Sequence, residues 1–320
     1  MSTANSIPVV VRDIEVATPL IRQFSLARLD GGLLPAFSAG SHVIVRTGSE
    51  SGAARNAYSL LGPPGDRTRY RIAVRRAETS RGGSRAMHER VGIGTRLDIT
   101  PPVNLFPLDK RGRRHVLIAA GVGVTPFMAY LHELAASQAA FEMHYAVRSA
   151  EHAEYGHRAQ AICPQQVRIY LRSNGNRIDP ARILADQPLG THVYVCGPTR
   201  LTEETLDAAR RAGWPDNRVH VERFASPPGG EAFDVLLARS GMRVHVPPET
   251  SLLEALEAAG VEAPSLCRGG ACGQCETTVL ECDGRLVHHD IFLTQEERAA
   301  ERKIMPCVSR AVGRLLTLDR

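Results

Sequence analysis

The sequence predicts a multidomain chain: an antiparallel β-barrel, an α/β domain on a parallel sheet, then a smaller α+β module. Three observations carry this. A length of 320 residues is long for one core, so two or three domains are expected. Short alternating stretches fill the first third, whereas apolar runs alternate with helical stretches beyond Asp109. A joint rich in proline and glycine, Ala225-Ser226-Pro227-Pro228-Gly229-Gly230-Glu231, then sets off the C-terminal part. The boundaries read 1–109, 110–226 and 227–320.

In the first part, Val9–Val16, Ile21–Leu26, His42–Arg46 and Tyr70–Val74 read as strands. Breaks such as Ser38-Ala39-Gly40-Ser41 and Leu61-Gly62-Pro63-Pro64-Gly65 separate them, which suits a small barrel. A short helix is expected from Ala86 to Glu89. In the second part, His115–Ala120, Phe141–Val147, Val167–Leu171 and His192–Cys196 read as buried strands. Helical patterns run over Phe127–Ser137 and Leu201–Ala212. In the third, Phe233–Leu237 and Arg243–Val246 alternate as a hairpin does. Ser251 and Glu254 then have capping-box spacing before an amphipathic helix.

Composition narrows the function. Hydrophobic content of 43% suits an ordinary globular chain, and 5% aromatics argues against platforms that stack single-stranded bases. No nucleic-acid partner is expected. Residues 232–320 hold 10 Lys+Arg and 13 Asp+Glu, a charge of −3, so the remainder of the +5 chain carries +8. An acidic module on a basic body fits docking to a protein partner, and equally a solvated surface. No window reaches the length of a membrane span, and seven cysteines do not form an even disulfide set. A cytoplasmic protein without a membrane partner is the expectation.

Four cysteines carry the strongest signal. Cys267, Cys272 and Cys275 follow C-x4-C-x2-C, and Cys307 lies downstream. That is the spacing of a plant-type [2Fe–2S] site. Structural zinc usually needs paired C-x2-C knuckles, and only one is present. Such a cluster moves one electron at a time, so the upstream parts must feed it. Cys163 and Cys282 are read as bystanders, His288-His289-Asp290 as a surface turn, and Trp214 as a packing residue.

The other motifs are weaker singly. Gly121-Val122-Gly123-Val124-Thr125-Pro126 follows a strand and opens a helix, a turn that aims N–H groups at an anion. It lacks the third glycine of the dinucleotide fingerprint, so a plain tight turn is the alternative. Cys196-Gly197-Pro198 follows another strand, at the end where open α/β sheets bind ligands. Arg55-Asn56-Ala57-Tyr58-Ser59-Leu60 lines up a cation, an amide, an aromatic and a hydroxyl on one strand. Arg81-Gly82-Gly83-Ser84-Arg85 is a turn able to cradle a phosphate, or a solvated barrel edge.

In this order the motifs resemble the phthalate dioxygenase reductase family along essentially the whole chain. The resemblance implies an FMN-binding barrel, a nicotinamide domain and a plant-type ferredoxin domain. Tyr58-Ser59-Leu60 matches the family's flavin motif and Arg81–Ser84 its flavin-phosphate turn. Gly121–Pro126 and Cys196–Pro198 match its nicotinamide motifs, and Phe224 its phenylalanine beside the flavin. Ser59, Thr125, Cys196 and Phe224 are then the expected catalytic positions. Arg55, Asn56, Ala57, Ala73, Val74 and Arg148 join the cofactor-binding set, and the four cysteines hold the cluster. Two positions depart from the pattern. Asn56 stands where many members have arginine, with Arg55 one step earlier. Arg148-Ser149-Ala150-Glu151 replaces an acidic residue after the strand ending at Val147. The implied activity is electron transfer from NADH through FMN and [2Fe–2S] to a Rieske-type oxygenase. A flavin diaphorase with a zinc module, or a non-enzymatic redox module, are the rival classes.

Overall fold

The computed structural model describes residues 6–47, 54–77, 83–224 and 229–320. They form two compact units: one of residues 6–47 and 58–224, the other of residues 54–57 with the chain from 229 onward.

The first unit opens with an antiparallel sheet. Its strands are β1 (Ile7–Thr18), β2 (Ile21–Arg28), β3 (Ser41–Thr47), β4 (Ala54–Leu61), β5 (Tyr70–Arg75), β6 (Arg96–Ile99) and β7 (Val103–Asn104), with helix α1 (Gly83–Glu89) after β5. The first residues of β4, through Ala57, group with the other unit. The order β4-β5-β2-β1-β6-β3-β7, with β4 also paired to β3, closes the sheet into a barrel. Alternation drives the closure: Val9 and Val11, Phe24 and Leu26, Val43 and Val45, and Ile72 and Val74 all point into one core. The sequence reading missed β6 and β7, which are too short to show a period.

Beyond it lies a parallel sheet of β8 (Arg114–Ala120), β9 (Ala140–Val147), β10 (Val167–Leu171), β11 (Thr191–Cys196) and β12 (Val219–Glu222), ordered β10-β9-β8-β11-β12. Helices α2 (Thr125–Ala136), α3 (Glu154–Ile162), α4 (Pro180–Ala185) and α5 (Thr199–Arg211) connect the strands. Leu117, Ala119, Tyr194 and Cys196 face one core with α2. Val116, Ile118, Val193 and Val195 face another with α4 and α5. Burial on both faces explains why these strands read as continuous apolar runs. The first of these cores also takes in Ala17, Ile21, Ala39, Leu61, Ala73 and Phe106 from the barrel side. The barrel and the α/β part therefore share apolar burial inside one unit. Cys163 is buried in that core, and Trp214 packs beside α4, donating to the Leu184 carbonyl at 3.3 Å, as read from sequence.

A ladder of rings crosses the starts of β8, β11 and β12. His192 stacks on His220, His220 on Tyr194, and His115 lies beside both His192 and Tyr194. Burial first, then the His192 charge, depresses His115 to about 4; the same causes depress His220 to about 4. Both therefore fold as neutral rings. Their contribution to stability is complete above the ordinary imidazole value of 6.5 and is lost as pH falls from there toward 4. Urea denaturation followed by the fluorescence of Trp214, the single tryptophan, reads this unit alone. The midpoint is expected to drop between pH 6.5 and 4. His115→Gln combined with His220→Gln should flatten that drop; an unchanged slope in the double variant would refute the assignment.

The second unit has a sheet ordered β14-β13-β19-β15-β17. Its strands are β13 (Phe233–Leu237), β14 (Arg243–Val246), β15 (Thr277–Cys282), β17 (Lys303–Ile304) and β19 (Leu315–Leu318). A separate pair joins β16 (Arg285–Val287) to β18 (Arg310–Val312). The predicted hairpin of β13 and β14 forms with Val235 opposite Val244. Helix α6 (Leu252–Ala258) starts at the Ser251 capping box, and α7 (Gln295–Ala299) starts at a second box on Thr294 and Glu297. Leu252, Leu253 and Leu256 close the core under the sheet. Among the described residues, no helix is long and apolar enough to cross a membrane.

Candidate functional site

The four cysteines converge in the second unit. The loop between α6 and β15 supplies three, and the turn before β18 supplies Cys307. The Cys275 and Cys307 sulfurs lie 3.3 Å apart. The Gly269 and Ala271 N–H groups each donate to Cys267 Sγ at 3.3 Å. Hydrogen bonds from Cys272 and Cys307, then from these backbone groups, hold Cys267 well below the usual thiol range. A thiolate met by backbone donors and neighbouring thiols fits an iron–sulfur cluster held by four sulfurs. Gly270 has φ +74°, and a Cβ there would sit 2.6 Å from Val308 Cγ2 and 2.9 Å from Asp290 Cα. Only glycine lets the loop wrap this tightly. Cys282 stands apart on β15, half-buried against the core.

Of His288-His289-Asp290, read from the sequence as a surface turn, His289 is exposed as read, whereas Asp290 is interior. Asp290 is buried and accepts from the Leu293 N–H at 2.9 Å and the Ser309 hydroxyl at 3.1 Å. Arg298 Nη2 reaches its carboxylate at 3.7 Å. The acid anchors the segment packed behind Gly270. Polar residues read as surface in a sequence, and only the fold supplies the partners that bury one.

In the first unit, Tyr58 packs against the barrel core, where burial pushes its phenol up. Ser59 is 5% exposed, and its hydroxyl has no hydrogen-bond partner among the described residues. Ala73 and Val74 are buried on β5, next to β4. An orphaned hydroxyl beside an aromatic on a barrel strand fits a polar ring system such as a flavin. Gly83 opens α1, and the Ser84 hydroxyl accepts from the Ala77 N–H at 3.3 Å. Arg81 and Gly82 lie outside the described residues. Asn56 and Ala57 sit on β4 as expected. Arg55 is ion-paired to Glu257 at 2.9 Å inside the second unit.

The two weak nucleotide motifs meet at the C-terminal ends of β8 and β11. Residues Gly121–Val124 form a 3-10 turn, and Pro126 lies in the first turn of α2. A Cβ on Gly123 would fall 2.2 Å from the Cys196 carbonyl oxygen and 2.8 Å from the Gly197 nitrogen. Backbone thus presses on backbone, leaving a cradle that a side chain would fill. Thr125 donates its hydroxyl to the Val122 carbonyl at 3.0 Å. Cys196 is fully buried, and burial, then Glu222, pushes its thiol well up, so it is a neutral thiol rather than a nucleophile. Phe224, 46% exposed, lies just beyond β12, and Arg148 lies exposed beyond β9.

Sequence reasoning missed Glu222. It pairs in register with Cys196 across β11 and β12. Burial pushes its carboxyl up to about 8, and Oε2 has no partner among the described residues. Its only sequence signal was an acid closing the short alternating stretch Val219–Glu222.

The comparisons with known proteins agree with this geometry. A family model for the 2Fe-2S iron-sulfur cluster binding domain matches residues 235–312. One for the N-terminal domain of dimethylamine monooxygenase subunit DmmA-like proteins matches residues 95–219. The heme-dependent oxidative N-demethylase beta subunit of Ectopseudomonas mendocina is 47% identical over 97% of each chain. The carnitine monooxygenase reductase subunit of Escherichia coli is 42% identical over 100% of each. The solved phthalate dioxygenase reductase superposes with a TM-score of 0.86 at 31% identity, over 98% of each chain. A self-sufficient cytochrome P450 monooxygenase matches at 38% identity and a TM-score of 0.73; there the chain spans 98% of itself and 41% of that protein. Fold and site together define an oxidoreductase that takes electrons from a pyridine nucleotide through a flavin to a [2Fe–2S] centre and serves an oxygenase system. The chain belongs to the phthalate dioxygenase reductase family.

Proposed function

We propose that the chain is the NADH-dependent, FMN-containing reductase of a terminal oxygenase, with domains 1–109, 110–226 and 227–320. The orphaned Ser59 hydroxyl beside Tyr58 is the observation that carries the flavin assignment. When bound, the flavin takes a two-electron hydride from NADH, and the cluster hands electrons on singly.

The protein's own groups bind and orient. Tyr58 and Ser59 hold the flavin ring, with Ser59 donating to it, while Asn56, Ala57, Ala73 and Val74 line the strands beside it. Arg81, Gly82, Gly83 and Ser84 take its phosphate. Gly121, Gly123, Thr125 and Pro126, with Cys196, Gly197 and Pro198, receive the nicotinamide. Desolvation pushes the Glu222 carboxyl up to about 8, which favours its neutral form at the Cys196 end of that pocket. Phe224, exposed just beyond β12, is the aromatic that would lie beside the flavin and make room for the nicotinamide. Arg148 lies where a ribose is read, and a guanidinium there tolerates a 2′-phosphate, so some activity with NADPH is expected. Cys267, Cys272, Cys275 and Cys307 hold the cluster.

The acceptor of the sequence-based reading is a Rieske-type oxygenase, met transiently in the cytoplasm. A haem acceptor is the second reading, favoured by the 47% identical subunit of a heme-dependent demethylase and by the match to a cytochrome P450 chain.

Three measurements test the proposal. Acid-released cofactor is expected to be FMN, and Ser84→Ala is expected to weaken its binding by about tenfold or more, a loss of about 1.5–3 kcal/mol for a hydrogen bond to a charged group. FAD in the extract overturns the assignment. Stopped-flow mixing of NADH-reduced protein with a purified Rieske oxygenase and with a purified haem demethylase then identifies the acceptor. Transfer to neither sinks the oxygenase reading.

A further inference from the structure

Arg55 begins the motif that the resemblance assigns to the flavin, yet its partner is elsewhere. Residues 54–57 group with the C-terminal unit, and Arg55 Nη1 donates to Glu257 Oε1 at 2.9 Å. Glu257 lies near the end of α6, and its side chain is 15% exposed. The same carboxylate takes both arms of Arg268: Nη1 donates to Oε1 at 2.8 Å and Nη2 to Oε2 at 2.7 Å. Arg268 has a side chain 9% exposed and directly follows the cluster cysteine Cys267.

Two features make this triad more than a surface ion pair. The first is backbone strain. Arg268 has φ +51°, a left-handed conformation that is strained for a residue with a Cβ and persists only where its surroundings hold it. The bidentate grip of Glu257 is the hold that the structure provides. That conformation turns the next N–H groups, of Gly269 and Ala271, onto Cys267 Sγ. The second is charge. One carboxylate between two guanidiniums leaves a net positive group beside a sulfur-rich anionic site. Half-buried charges of this kind are screened much less than exposed ones. Removing Arg55 leaves Glu257 to a single partner and takes one positive charge from the set.

We propose that Arg55 is a positioning residue of the iron–sulfur loop and not a flavin ligand: through Glu257 it orients Arg268 and so sets the backbone donors and the field at Cys267. The inference rests on the proposed cluster assignment of the four cysteines.

Arg55→Gln and Arg55→Lys in the full-length holoprotein test it. Four quantities are read: the visible circular dichroism and electron paramagnetic resonance of the cluster, its midpoint potential, its rate of iron loss to a chelator, and the affinity of the FMN-stripped protein for FMN. In Arg55→Gln the cluster spectra are expected to change, the potential to become more negative, and iron loss to a chelator to quicken at least threefold. The FMN dissociation constant is expected to stay within about twofold. Arg55→Lys retains the charge and is expected to return the potential most of the way, without the full geometry. Glu257→Gln, which loosens both arginines but removes a negative charge, is expected to exceed Arg55→Gln in the spectral change and in iron loss, and to move the potential in the opposite direction, toward less negative values. A tenfold loss of FMN affinity with unchanged cluster spectra and potential overturns the proposal and returns Arg55 to the flavin. So does a variant with no change in any of the four. Wild-type protein lacking iron and labile sulfide would instead remove the cluster assignment beneath it.

Discussion

Cys272→Ser is expected to abolish the iron–sulfur centre while sparing the flavin. Wild-type protein should contain about two irons and two labile sulfides per chain, the content of one [2Fe–2S] centre. The serine variant should contain almost none, and delivery of electrons to an oxygenase should fall to background. Ferricyanide, which can draw electrons directly from the flavin, should still be reduced by NADH at near wild-type rates. The reason is the division of the cores. Cys275 and Cys307 pack with Leu252, Leu256, Val279 and Leu316 in the C-terminal unit. Tyr58, Gly123, Cys196 and Glu222 belong to the other unit, with apolar cores of their own. Iron and sulfide assays beside the two activities settle the point. Loss of NADH–ferricyanide activity together with the iron would mean that the flavin site depends on the cluster loop.

Gly123→Ala should damage the other end of the electron path. The added methyl would lie 2.2 Å from the Cys196 carbonyl oxygen and 2.6 Å from its carbon. Both are backbone atoms, fixed by the register of β11 with β8, so no side chain can rotate aside. The turn must lift away from Cys196-Gly197 at a cost of about 1–3 kcal/mol, the usual range for overpacking. That displacement moves the proposed nicotinamide cradle itself. Flavin reduction by NADH is therefore expected to slow by about tenfold or more, each 1.36 kcal/mol being one decade of rate. Gly121→Ala is the contrasting variant. Its Cβ meets nothing within 4 Å, but φ is +56°, so it carries backbone strain without a collision. It should lose stability while retaining more of the reduction rate. Stopped-flow reduction and urea denaturation of the two variants separate these effects. Wild-type reduction kinetics in Gly123→Ala would remove the motif from the nicotinamide site.

Much of the protein was legible before its fold was known, wherever the signal was local. Four cysteines at a fixed spacing must wrap a compact anion, whatever the rest of the chain does. Period-two alternation in Val9–Val16 and the continuous apolar run His115–Ala120 report burial on one face or on both, and strands formed at each. The capping box at Ser251 involves residues three apart and appeared as read. Short elements escaped. Helix α4 has six residues, too few for a period; the fold shows it starting at Asp179, whose side chain accepts from the Arg182 N–H.

The tertiary structure alone decided whatever depends on partners distant in sequence. Gly121–Pro126 and Cys196–Pro198 were separate weak motifs until parallel pairing of β8 and β11 pressed Gly123 onto Cys196. Glu222 is an ordinary acid in the sequence; in the fold it is half-buried, its Oε2 has no partner among the described residues, and desolvation pushes its carboxyl up to about 8. Asp290 became an interior anchor because Ser309, nineteen positions away, meets it. Arg55 was assigned by its neighbours in the motif, yet it pairs with Glu257, 202 residues downstream. Spacing and periodicity constrain what lies within a few turns of chain, whereas desolvation and ion pairing follow from which distant segments the fold brings together.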